Sequence, residues 1–427
     1  MKILIIGSGG REHTLAWKAA QSGAVREVLV APGNVGIAAE PKCRLVNVSL
    51  DDVNGLRQLA LDEEVDLTIV GPEAPLVAGL TDMFQQAGLT VFGPSRAAAR
   101  LEGSKVFAKR LLAKYDIPTA GFQVFDEYDT ALSHVKKVAL PVVLKADGLA
   151  AGKGVFVCKD RDEAIAALDS IMKTRAFGDA GDRVVVEECL EGEEASFIAL
   201  TDGKHVLPLA SSQDHKPIYD NDLGPNTGGM GAYSPAPVVS SEVHNRIMNQ
   251  VMVPTVRALE KEGTPYVGFL YAGLMIRDGA PSVLEFNVRM GDPEAQPLLF
   301  RMKSDMVPLI TAALGGRLSN AVIEWYPEDA VCVVMASAGY PGSYEKGKPI
   351  SGIADAERSE GVKVFHAGTA RGPGGIVTSG GRVLGVTAKA LGIGKAIDKA
   401  YEAVKKIQWE GAYYRTDIGR KALNRAG

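Results

Sequence analysis

Cysteine is scarce in this chain of 427 residues, and its scarcity limits the classes of protein to consider. The four cysteines, Cys43, Cys158, Cys189 and Cys332, lie far apart and form no CxxC pair. This spacing argues against a disulfide-stapled scaffold and against a structural zinc site. We therefore expect reduced, mostly buried thiols and a cytoplasmic protein.

The sequence also lacks a long apolar run and a strong excess of either charge. No segment has about 18 uninterrupted apolar residues, which a membrane-spanning helix needs, and the run at Ile3–Ile6 is far too short. The net charge of −4 and the pI near 6.0 argue against nucleic-acid binding as the main function. We expect a globular protein that acts on small molecules, with neither nucleic acid nor membrane as a partner, as a monomer or weak homodimer.

What the sequence does contain is a regular alternation of strand and helix patterns over the first hundred residues. Strands are predicted at Ile3–Ile6, Val28–Ala31, Leu45–Val48, Leu67–Val70 and Thr90–Phe92. Helices are predicted near Glu12–Gln21, Asp52–Asp62 and Leu76–Ala87. Continuous apolar strands separated by helices indicate a doubly wound α/β unit with a parallel sheet.

The rest of the chain is predicted to form further α/β units. Ser104 is the expected N-cap of a helix at Lys105–Tyr115, and Asp278-Gly279 is the expected turn of a hairpin at 266–289. Strands are predicted at Phe122–Phe125, Val142–Lys145, Val155–Cys158, Val184–Glu187, Val331–Ala336, Val362–Ala367 and Gly381–Thr387, with a last helix near Lys395–Lys406. We expect three domains: 1–102, then 103–325 with a small lid lobe inserted at 120–190, then a small mixed α/β domain at 326–427.

The first candidate site is the turn GSGGREH at residues 7–13, which follows the first strand and opens a helix. Backbone N–H groups at such a turn favour a phosphate or a carboxylate. A dinucleotide-binding turn is one alternative, but Glu12 stands where its third glycine belongs, and Asn34 rather than an acid follows the second strand. A tight turn without a ligand is the other alternative.

A second candidate is the sequence KADGLAAGKGV, which begins at Lys145. Lys145 ends an apolar strand, so we expect its charge to be partly buried and to need an anion. Lys153 lies on a loop that contains Gly148, Gly152 and Gly154, and two lysines around a glycine loop suit a polyphosphate. It is not a Walker A motif, because Gly154 follows the lysine. A plain surface loop is the alternative.

The most informative pattern is the strand VLEFNVRMGDPE at residues 283–294. Because strand side chains alternate, Glu285, Asn287 and Arg289 are predicted to share one face. The core face would carry Leu284, Phe286 and Val288. A carboxylate and an amide oxygen two residues apart are hard ligands that suit Mg²⁺, and an arginine beyond them suits a phosphoryl oxygen or a carboxylate. An exposed strand face with a Glu–Arg pair is the alternative.

Two further segments carry weaker signals. The strand at 184–188 ends in acids before a glycine turn, which is compatible with a hinge beside a nucleotide and equally with a solvated turn. The long loop at 211–231 is rich in glycine and polar residues, as functional loops are. In this loop the Asp214 carboxylate suits an ammonium group, and the backbone N–H groups of the turn TGGMG suit an anion. His215 is equally compatible with a plain surface histidine that has no function.

Taken in order, nine segments resemble those of the phosphoribosylamine–glycine ligases, a family of the ATP-grasp superfamily. They are GSGGREH, GPEAPLVAGL, LEGSK, KADGLAAGKGV, VVEECLEGEEAS, SSQDHK, GPNTGGMGAYSP, GFLYAGLM and LEFNVRMGDPE. The likeness runs from Met1 to Gly419, and it implies an ATP-grasp core of two α+β lobes at 103–325. It also implies that ATP, glycine and 5-phosphoribosylamine give ADP, phosphate and glycinamide ribonucleotide through glycyl phosphate, with Mg²⁺ or Mn²⁺ as cofactor.

The resemblance also implies roles for particular residues. Contacts to ATP would come from Lys105, Lys145, Gly152, Lys153, Glu187, Glu188, Leu190 and Glu194, and the metal ligands would be Glu285 and Asn287. Substrates would be bound by Gly9, Gly10, Arg11, Glu12, Asn34, Glu73, Asp214, Lys216, Gly229, Met230, Arg289 and Asp292. The catalytic residues would be Arg289, Lys145, Lys153 and Asp214.

One residue and one strand depart from the family pattern. Met290 stands where phenylalanine is usual, and the strand at Gly268–Arg277 contains no acid, which puts a second metal ion in doubt. Two alternative functions follow from the sequence. One is a related ATP-grasp ligase or carboxylase with another substrate, and the other is a catalytically silent nucleotide-binding regulator.

Overall fold

The N-terminal region folds as a parallel sheet covered by helices. The computed structural model describes residues 1–150 and 154–426. The first strands are β1 Lys2–Gly7, β2 Glu27–Pro32, β3 Cys43–Leu45, β4 Leu67–Val70 and β5 Val91–Phe92. The first helices are α1 Gly10–Ala20, α2 Val53–Asp62, α3 Glu73–Ala78, α4 Leu80–Gln86 and α5 Arg96–Gly103. The strand order is β3-β2-β1-β4-β5, and every pairing is parallel.

Strand β1 shows why this sheet is doubly wound. Ile3, Leu4, Ile5 and Ile6 are all fully buried. Leu4 and Ile6 pack in one apolar cluster, whereas Ile3 and Ile5 pack in another with residues of α1. Since successive strand residues point to opposite faces, helices cover both sides of the sheet, as the continuous apolar pattern predicts.

The next region is a small antiparallel lobe that follows helix α6 Lys105–Lys114. Its strands are β6 Phe122–Phe125, β7 Val142–Ala146, β8 Val155–Cys158 and β9 Val184–Glu188, in the order β6-β9-β7-β8. Its helices are α7 Tyr128–Val135 and α8 Arg161–Leu168. As predicted, Ser104 caps α6, because its side chain accepts a hydrogen bond from the Phe107 N–H.

The larger lobe is built on a second antiparallel sheet. The strands that follow are β10 Glu193–Asp202, β11 Val206–Pro208, β12 Gln213–Asp214, β13 Pro217–Tyr219, β14 Leu223–Asn226, β15 Gly231–Ser234, β16 Val267–Arg277 and β17 Ala280–Asn287. The helices are α9 Ser241–Ile247, α10 Val253–Lys261, α11 Ala295–Arg301 and α12 Met306–Leu314. The sheet has the order β11-β10-β16-β17. Its β16–β17 hairpin turns at Asp278-Gly279, both with positive φ, as predicted.

The C-terminal region contributes a third antiparallel sheet. Its strands are β18 Asp329–Ser337, β19 Val362–His366, β20 Thr369–Gly372, β21 Gly375–Thr378, β22 Arg382–Ala390 and β23 Ala412–Tyr413. Its helices are α13 Ile353–Glu357, α14 Ile393–Val404 and α15 Arg420–Ala426. The sheet order is β12-β15-β18-β22-β19, so strands from the loop-rich stretch before residue 235 join it. This pairing places the loop at 211–231 between the sheet of the larger lobe and the C-terminal sheet.

Three local expectations from the sequence are wrong in detail. The helix predicted at Leu76–Ala87 is two helices, because Gly79 lies between them with a φ of 94°. The third strand ends at Leu45 instead of Val48. Leu284 does not face the core: Val283 and Glu285 pair with neighbouring residues of β16, which leaves Leu284 in a bulge, and its side chain lines the cleft described below.

Two expectations from composition concern membrane-spanning helices and cysteines. None of the helices in the described ranges has the length and apolar character of a membrane-spanning segment. All four cysteines are among the described residues and are free thiols. Burial raises the pKa of Cys43 and of Cys332 to about 12, so both thiols stay protonated near neutral pH.

Candidate active site

The predicted turn, Asn34 and Glu73 come together at the carboxyl edge of the N-terminal sheet. They follow strands β1, β2 and β4, and β1 pairs with both of the other two strands. In an open parallel sheet, the crevice at such a switch point is the usual place for a ligand.

Glu12 shapes the turn by folding back over it. Its carboxylate accepts hydrogen bonds from the Gly9 N–H at 2.6 Å and from Arg11 Nε at 2.5 Å. A Cβ on Gly7 would lie 2.2 Å from Glu12 Cγ, and one on Gly71 would lie 2.2 Å from Glu12 Oε1. Both glycines are therefore needed to make room for Glu12. The Glu12 side chain fills space at the position where a dinucleotide-binding turn has its third glycine, so the turn does not fit a dinucleotide.

Arg11 and Asn34 are both engaged with the protein itself. Arg11 Nη1 also donates to the Met290 carbonyl at 3.2 Å. The Asn34 amide donates to the Ser8 carbonyl at 2.8 Å and to the His366 carbonyl at 2.9 Å. Its oxygen accepts from the N–H groups of Gly36 and Ile37. Asn34 therefore fastens the turn to the C-terminal region, and Gly9 and Gly10 contribute backbone at the crevice.

A cleft between the two antiparallel lobes collects the charged residues predicted to bind a nucleotide. It lies among helices α5 and α6 and strands β7, β9 and β17, and it is lined by Leu101, Lys105, Ala108, Lys109, Leu112, Lys145, Glu187, Val283, Leu284, Glu285 and Phe286. Lys145 Nζ lies 3.0 Å from Glu187 Oε2 and donates to the Leu284 carbonyl at 2.9 Å. With 5% of Lys145 exposed, the expectation of a partly buried strand-end lysine is confirmed.

Two other residues predicted to contact ATP lie where the small lobe connects to the larger lobe. Glu188 ends β9 and is exposed, and its N–H donates to the Gly121 carbonyl at 2.9 Å. Leu190 follows in the connection to β10 and is half-buried. Gly152 and Lys153, by contrast, lie outside the residues that the structure describes.

Glu285 is the centre of a cluster of opposite charges. Its Oε2 lies 3.7 Å from Lys105 Nζ, and its Oε1 lies 3.4 Å from Lys216 Nζ. Lys216 Nζ also lies 3.2 Å from Glu194 Oε2. Burial alone would raise the pKa of Glu285, but Lys216, Lys105 and Lys145 outweigh it and hold the pKa far below its usual range. Burial likewise lowers the pKa of Lys216, and the opposing carboxylates Glu194 and Glu285 raise it well above normal. Both groups are therefore ionised at neutral pH.

The predicted strand face ends before Arg289, because β17 stops at Asn287, but the Arg289 side chain still contacts Asn287. Its guanidinium lies 2.9 Å from Glu73, 3.1 Å from Glu102 and 3.3 Å from Asn287 Oδ1. Burial would raise the pKa of Glu73, but Arg289 and Arg11 lower it to about 2. Burial dominates at Glu102 and raises its pKa. Arg289 thus pairs both with Glu73 of the N-terminal crevice and with Glu102 of α5.

The glycine-rich loop brings Asp214 and Gly229 together. A Cβ on Gly229, whose φ is 107°, would lie 2.7 Å from Asp214 Oδ1 and 2.4 Å from Pro293 Cδ, so only glycine fits there. Burial raises the pKa of Asp214 well above its usual range, and nearby Glu294 adds to that shift. Met230 is fully buried and packs with Ile218 and Ala336.

Asp292 is held at the loop by a residue that the sequence pattern did not reveal. Arg382, at the start of β22, lies 3.0 Å from Asp292 Oδ2 and donates to the Gly228 carbonyl at 2.5 Å. Burial would raise the pKa of Asp292, but Arg382 and Arg11 outweigh it and lower the pKa. Arg382 is 90 residues from Asp292, so local sequence offers no signal for this pair. Lys109 was also missed, although its position four residues after Lys105 puts it on the same helix face.

The donor set fits one divalent cation shared with phosphates. Glu285 supplies an ionised carboxylate, and Asn287 supplies an amide oxygen two residues further along the strand. Among the described residues, no group of three or more His, Cys, Asp or Glu side chains is placed to hold a metal ion by itself. Mg²⁺ commonly takes one or two protein oxygens and completes its shell with phosphate and water.

A lysine-lined cleft between two antiparallel lobes, with a Glu–Asn strand along its side, defines an ATP-grasp enzyme. Three family models of phosphoribosylglycinamide synthetase match the chain in sequence: the N domain over residues 1–102, the ATP-grasp (A) domain over 103–295 and the C domain over 330–421. The chain therefore belongs to the phosphoribosylglycinamide synthetase family.

Individual relatives agree with this assignment. The chain is 58% identical over 426 residues to the phosphoribosylamine–glycine ligase of Allochromatium vinosum and 54% identical to that of Vibrio parahaemolyticus, covering 100% of this chain and 99% of each relative. The crystal structure of the phosphoribosylamine–glycine ligase from Thermotoga maritima is 35% identical, with a TM-score of 0.85 over 98% of this chain and 100% of that one. A biotin carboxylase domain from Hydrogenobacter thermophilus, 16% identical with a TM-score of 0.73 over 97% of this chain and 91% of that one, shares the fold.

Proposed function

We propose that this chain ligates glycine to 5-phosphoribosylamine with the energy of ATP, forming glycinamide ribonucleotide, ADP and phosphate. The names of the relatives, which match along essentially the whole chain, support this substrate pair. The observation that carries the proposal is the convergence of Lys105, Lys145 and Glu285 on one cleft. The same intact charges argue against a catalytically silent regulator.

The chemistry follows from the poor reactivity of a carboxylate. A carboxylate oxygen of glycine attacks the γ-phosphorus of ATP, the bond to the β-phosphate oxygen breaks, and ADP leaves. The ribosylamine nitrogen then attacks the carbonyl carbon of glycyl phosphate, loses a proton to water, and phosphate departs with the bonding electron pair. Such transfers require positioning and charge neutralisation and no enzyme nucleophile.

The nucleotide is assigned to the cleft at α6, β7 and β17. Lys105 and Lys145 neutralise its phosphates, and the loop with Gly152 and Lys153 is assigned to cover them. Glu187, Glu188 and Leu190 frame the adenine, and Glu194 faces the ribose. Glu285 and Asn287 would hold Mg²⁺ or Mn²⁺, which supplies additional positive charge to the phosphate oxygens when it is bound.

Glycine is assigned to the pocket at the glycine-rich loop. Asp214 and Asp292 receive its ammonium group, and Lys216 and Arg289 face its carboxylate, with Gly229 and Met230 shaping the turn. Burial raises the pKa of Asp214 and so favours its protonated form. An ammonium group beside the carboxylate would oppose that effect and favour the ionised form. Phosphoribosylamine is assigned to the crevice with Gly9, Gly10, Arg11, Glu12, Asn34 and Glu73.

The setting of the reaction is also part of the proposal. Four free cysteines, all with pKa values raised by burial, are in keeping with the reducing cytoplasm. We expect a monomer or weak homodimer that takes its substrates from solution. Analytical ultracentrifugation across a range of concentrations measures that equilibrium.

The function is tested by omitting one component at a time. ADP should form only when ATP, glycine, phosphoribosylamine and Mg²⁺ are all present, and mass spectrometry should find glycinamide ribonucleotide as the product. Equal release of ADP without phosphoribosylamine would contradict the proposal. A panel of other amines and carboxylates separates this enzyme from related ATP-grasp ligases, since only glycine should support turnover with phosphoribosylamine.

A further inference from the structure

Lys109 is a buried residue that lines the cleft assigned to the nucleotide, and the proposed function gives it no role. It is 3% exposed, and its Nζ lies 2.8 Å from Glu187 Oε2 and 2.7 Å from Thr119 Oγ1. An ammonium group is costly to bury unless a charge and hydrogen bonds receive it. Glu187 supplies the charge and Thr119 a hydrogen-bond acceptor, so Lys109 is tied to the cleft floor.

The same carboxylate oxygen also receives Lys145, the lysine assigned to the phosphates. Lys145 Nζ is 3.0 Å from Glu187 Oε2 and donates to the Leu284 carbonyl at 2.9 Å. An ammonium group has three donors, so within the described residues one donor of Lys145 is left for a ligand. Two lysines and one glutamate leave the cluster with a formal charge of +1. Without Lys109, the charge of Lys145 would be neutralised by Glu187 alone.

The contacts of Lys109 also join helix α6 to the small lobe. Lys109 belongs to helix α6, whereas Glu187 belongs to strand β9 of the small lobe. Thr119 lies in the connection between them and donates to the Val283 carbonyl at 2.7 Å. The Lys109 ammonium group therefore links helix α6, the connection that contains Thr119 and the small lobe that carries Lys145.

We propose that Lys109 is a positioning residue for nucleotide binding, which holds Glu187 so that Lys145 keeps both its free donor and its positive charge directed at the ATP phosphates. This inference rests on the proposed function, because it assumes that the cleft binds ATP. Lys109 acts through Glu187 and Lys145 and does not itself touch the reacting atoms.

The test compares Lys109→Met, which keeps the side-chain length without its charge, with Lys114→Met on an exposed turn of the same helix. The KM values for ATP and for glycine are measured separately at saturating levels of the other substrates. We expect the KM for ATP to rise about tenfold in Lys109→Met, the size expected for loss of one charge-assisted contact. The KM for glycine should stay within about twofold of the wild-type value. Lys109→Arg should recover part of the loss, and Lys114→Met should change neither value.

A second variant covers the case in which Lys109→Met does not fold. Thr119→Val keeps the shape of the side chain and removes the oxygen that receives Lys109, and we expect it to raise the KM for ATP about threefold. The proposal is wrong if folded Lys109→Met or folded Thr119→Val keeps the wild-type KM for ATP, or if the KM values for ATP and glycine rise equally in it. Calorimetric titration with ADP requires no turnover. It therefore still tests the inference if the wild-type protein fails the ligation assay, a result that would contradict the proposed function instead.

Discussion

The guanidinium group of Arg382 lies 3.0 Å from Oδ2 of Asp292, and this pair joins the C-terminal antiparallel sheet to the loop that follows β17. The same guanidinium donates to the Gly228 carbonyl at 2.5 Å. One side chain from the C-terminal region therefore holds both the glycine-rich turn and an aspartate assigned to the substrate. The C-terminal region therefore contributes directly to the candidate site assigned to glycine.

Removing this link should weaken both the pocket and the fold. Arg382→Met leaves Asp292 without its cationic partner, and we expect the free energy of unfolding to fall by about 2 kcal/mol. The KM for glycine should rise, because the loop is no longer fixed. Chemical denaturation and steady-state kinetics measure these changes. Arg371→Met, on the exposed hairpin of β20 and β21, is the control, and the idea fails if the two variants behave alike.

Glu285 should be essential for turnover but not for folding. Glu285→Ala removes the carboxylate that faces Lys105 and Lys216 and that is assigned to the divalent cation. We expect kcat to fall by two orders of magnitude or more, about 3 kcal/mol of transition-state stabilisation. Circular dichroism should remain that of the wild type. Glu324→Ala, on an exposed connection, is the matched control, and near-normal activity of Glu285→Ala would remove Glu285 from the metal site.

Nucleotide binding should weaken as Lys109 loses its proton. Burial lowers the pKa of Lys109 to about 8, Glu187 of β9 opposes that shift, and Lys145 of β7 and Lys105 of its own helix add to it. Below that pH the ammonium group is charged, and above it the positive charge is lost. We therefore expect the Kd for ADP, measured by calorimetry, to rise above about pH 8.

The matched variant for this pH profile is Lys109→Arg. A guanidinium group stays protonated throughout this range, so the rise in Kd above pH 8 should be absent from the variant. A profile that is the same in both proteins would show that another group titrates. Lys114→Arg should leave the wild-type profile unchanged.

The room around Glu12 should be sensitive to a single methyl group. A Cβ on Gly71 would lie 2.2 Å from Glu12 Oε1, whereas a Cβ on Gly23 would meet no atom within 4 Å. We expect Gly71→Ala to lower the free energy of unfolding by about 1–3 kcal/mol, as overpacking does. It should also raise the KM for phosphoribosylamine, because Glu12 caps the turn. Thermal denaturation of Gly71→Ala beside Gly23→Ala measures the difference, and equal stabilities would rule out the steric argument.

Much of the fold was predictable because it is encoded locally. The apolar run at Ile3–Ile6 and its successors predict a parallel sheet, Ser104 predicts a helix start, and Asp278-Gly279 predicts a hairpin turn. Each of these features depends on residues within a few positions of one another. The predictions fail where a local rule has an exception, as at Gly79, which breaks a helix, and at Leu284, which lies in a bulge.

The candidate site was predictable only in part. The positions of Glu285 and Asn287 on β17 and the burial of Lys145 followed from position in a strand, whereas Arg289 lies two residues beyond the end of β17. The assignment of particular residues to glycine or phosphoribosylamine came from the family resemblance, and those roles stay predictions. The charge partners of the predicted residues did not follow from either source, because ion pairs such as Arg289–Glu102 join segments far apart in the chain.

The sequence by itself therefore determined the class of fold, the family and most of the groups that carry charge into the cleft. The tertiary structure alone decided how those charges are paired. It placed Lys109 under Lys145 through one shared carboxylate oxygen, and it placed Arg382 against Asp292 from another sheet. Periodicity and caps are local properties that a sequence displays directly, whereas the electrostatic balance of a buried site depends on which distant groups the folded chain brings within a few ångströms.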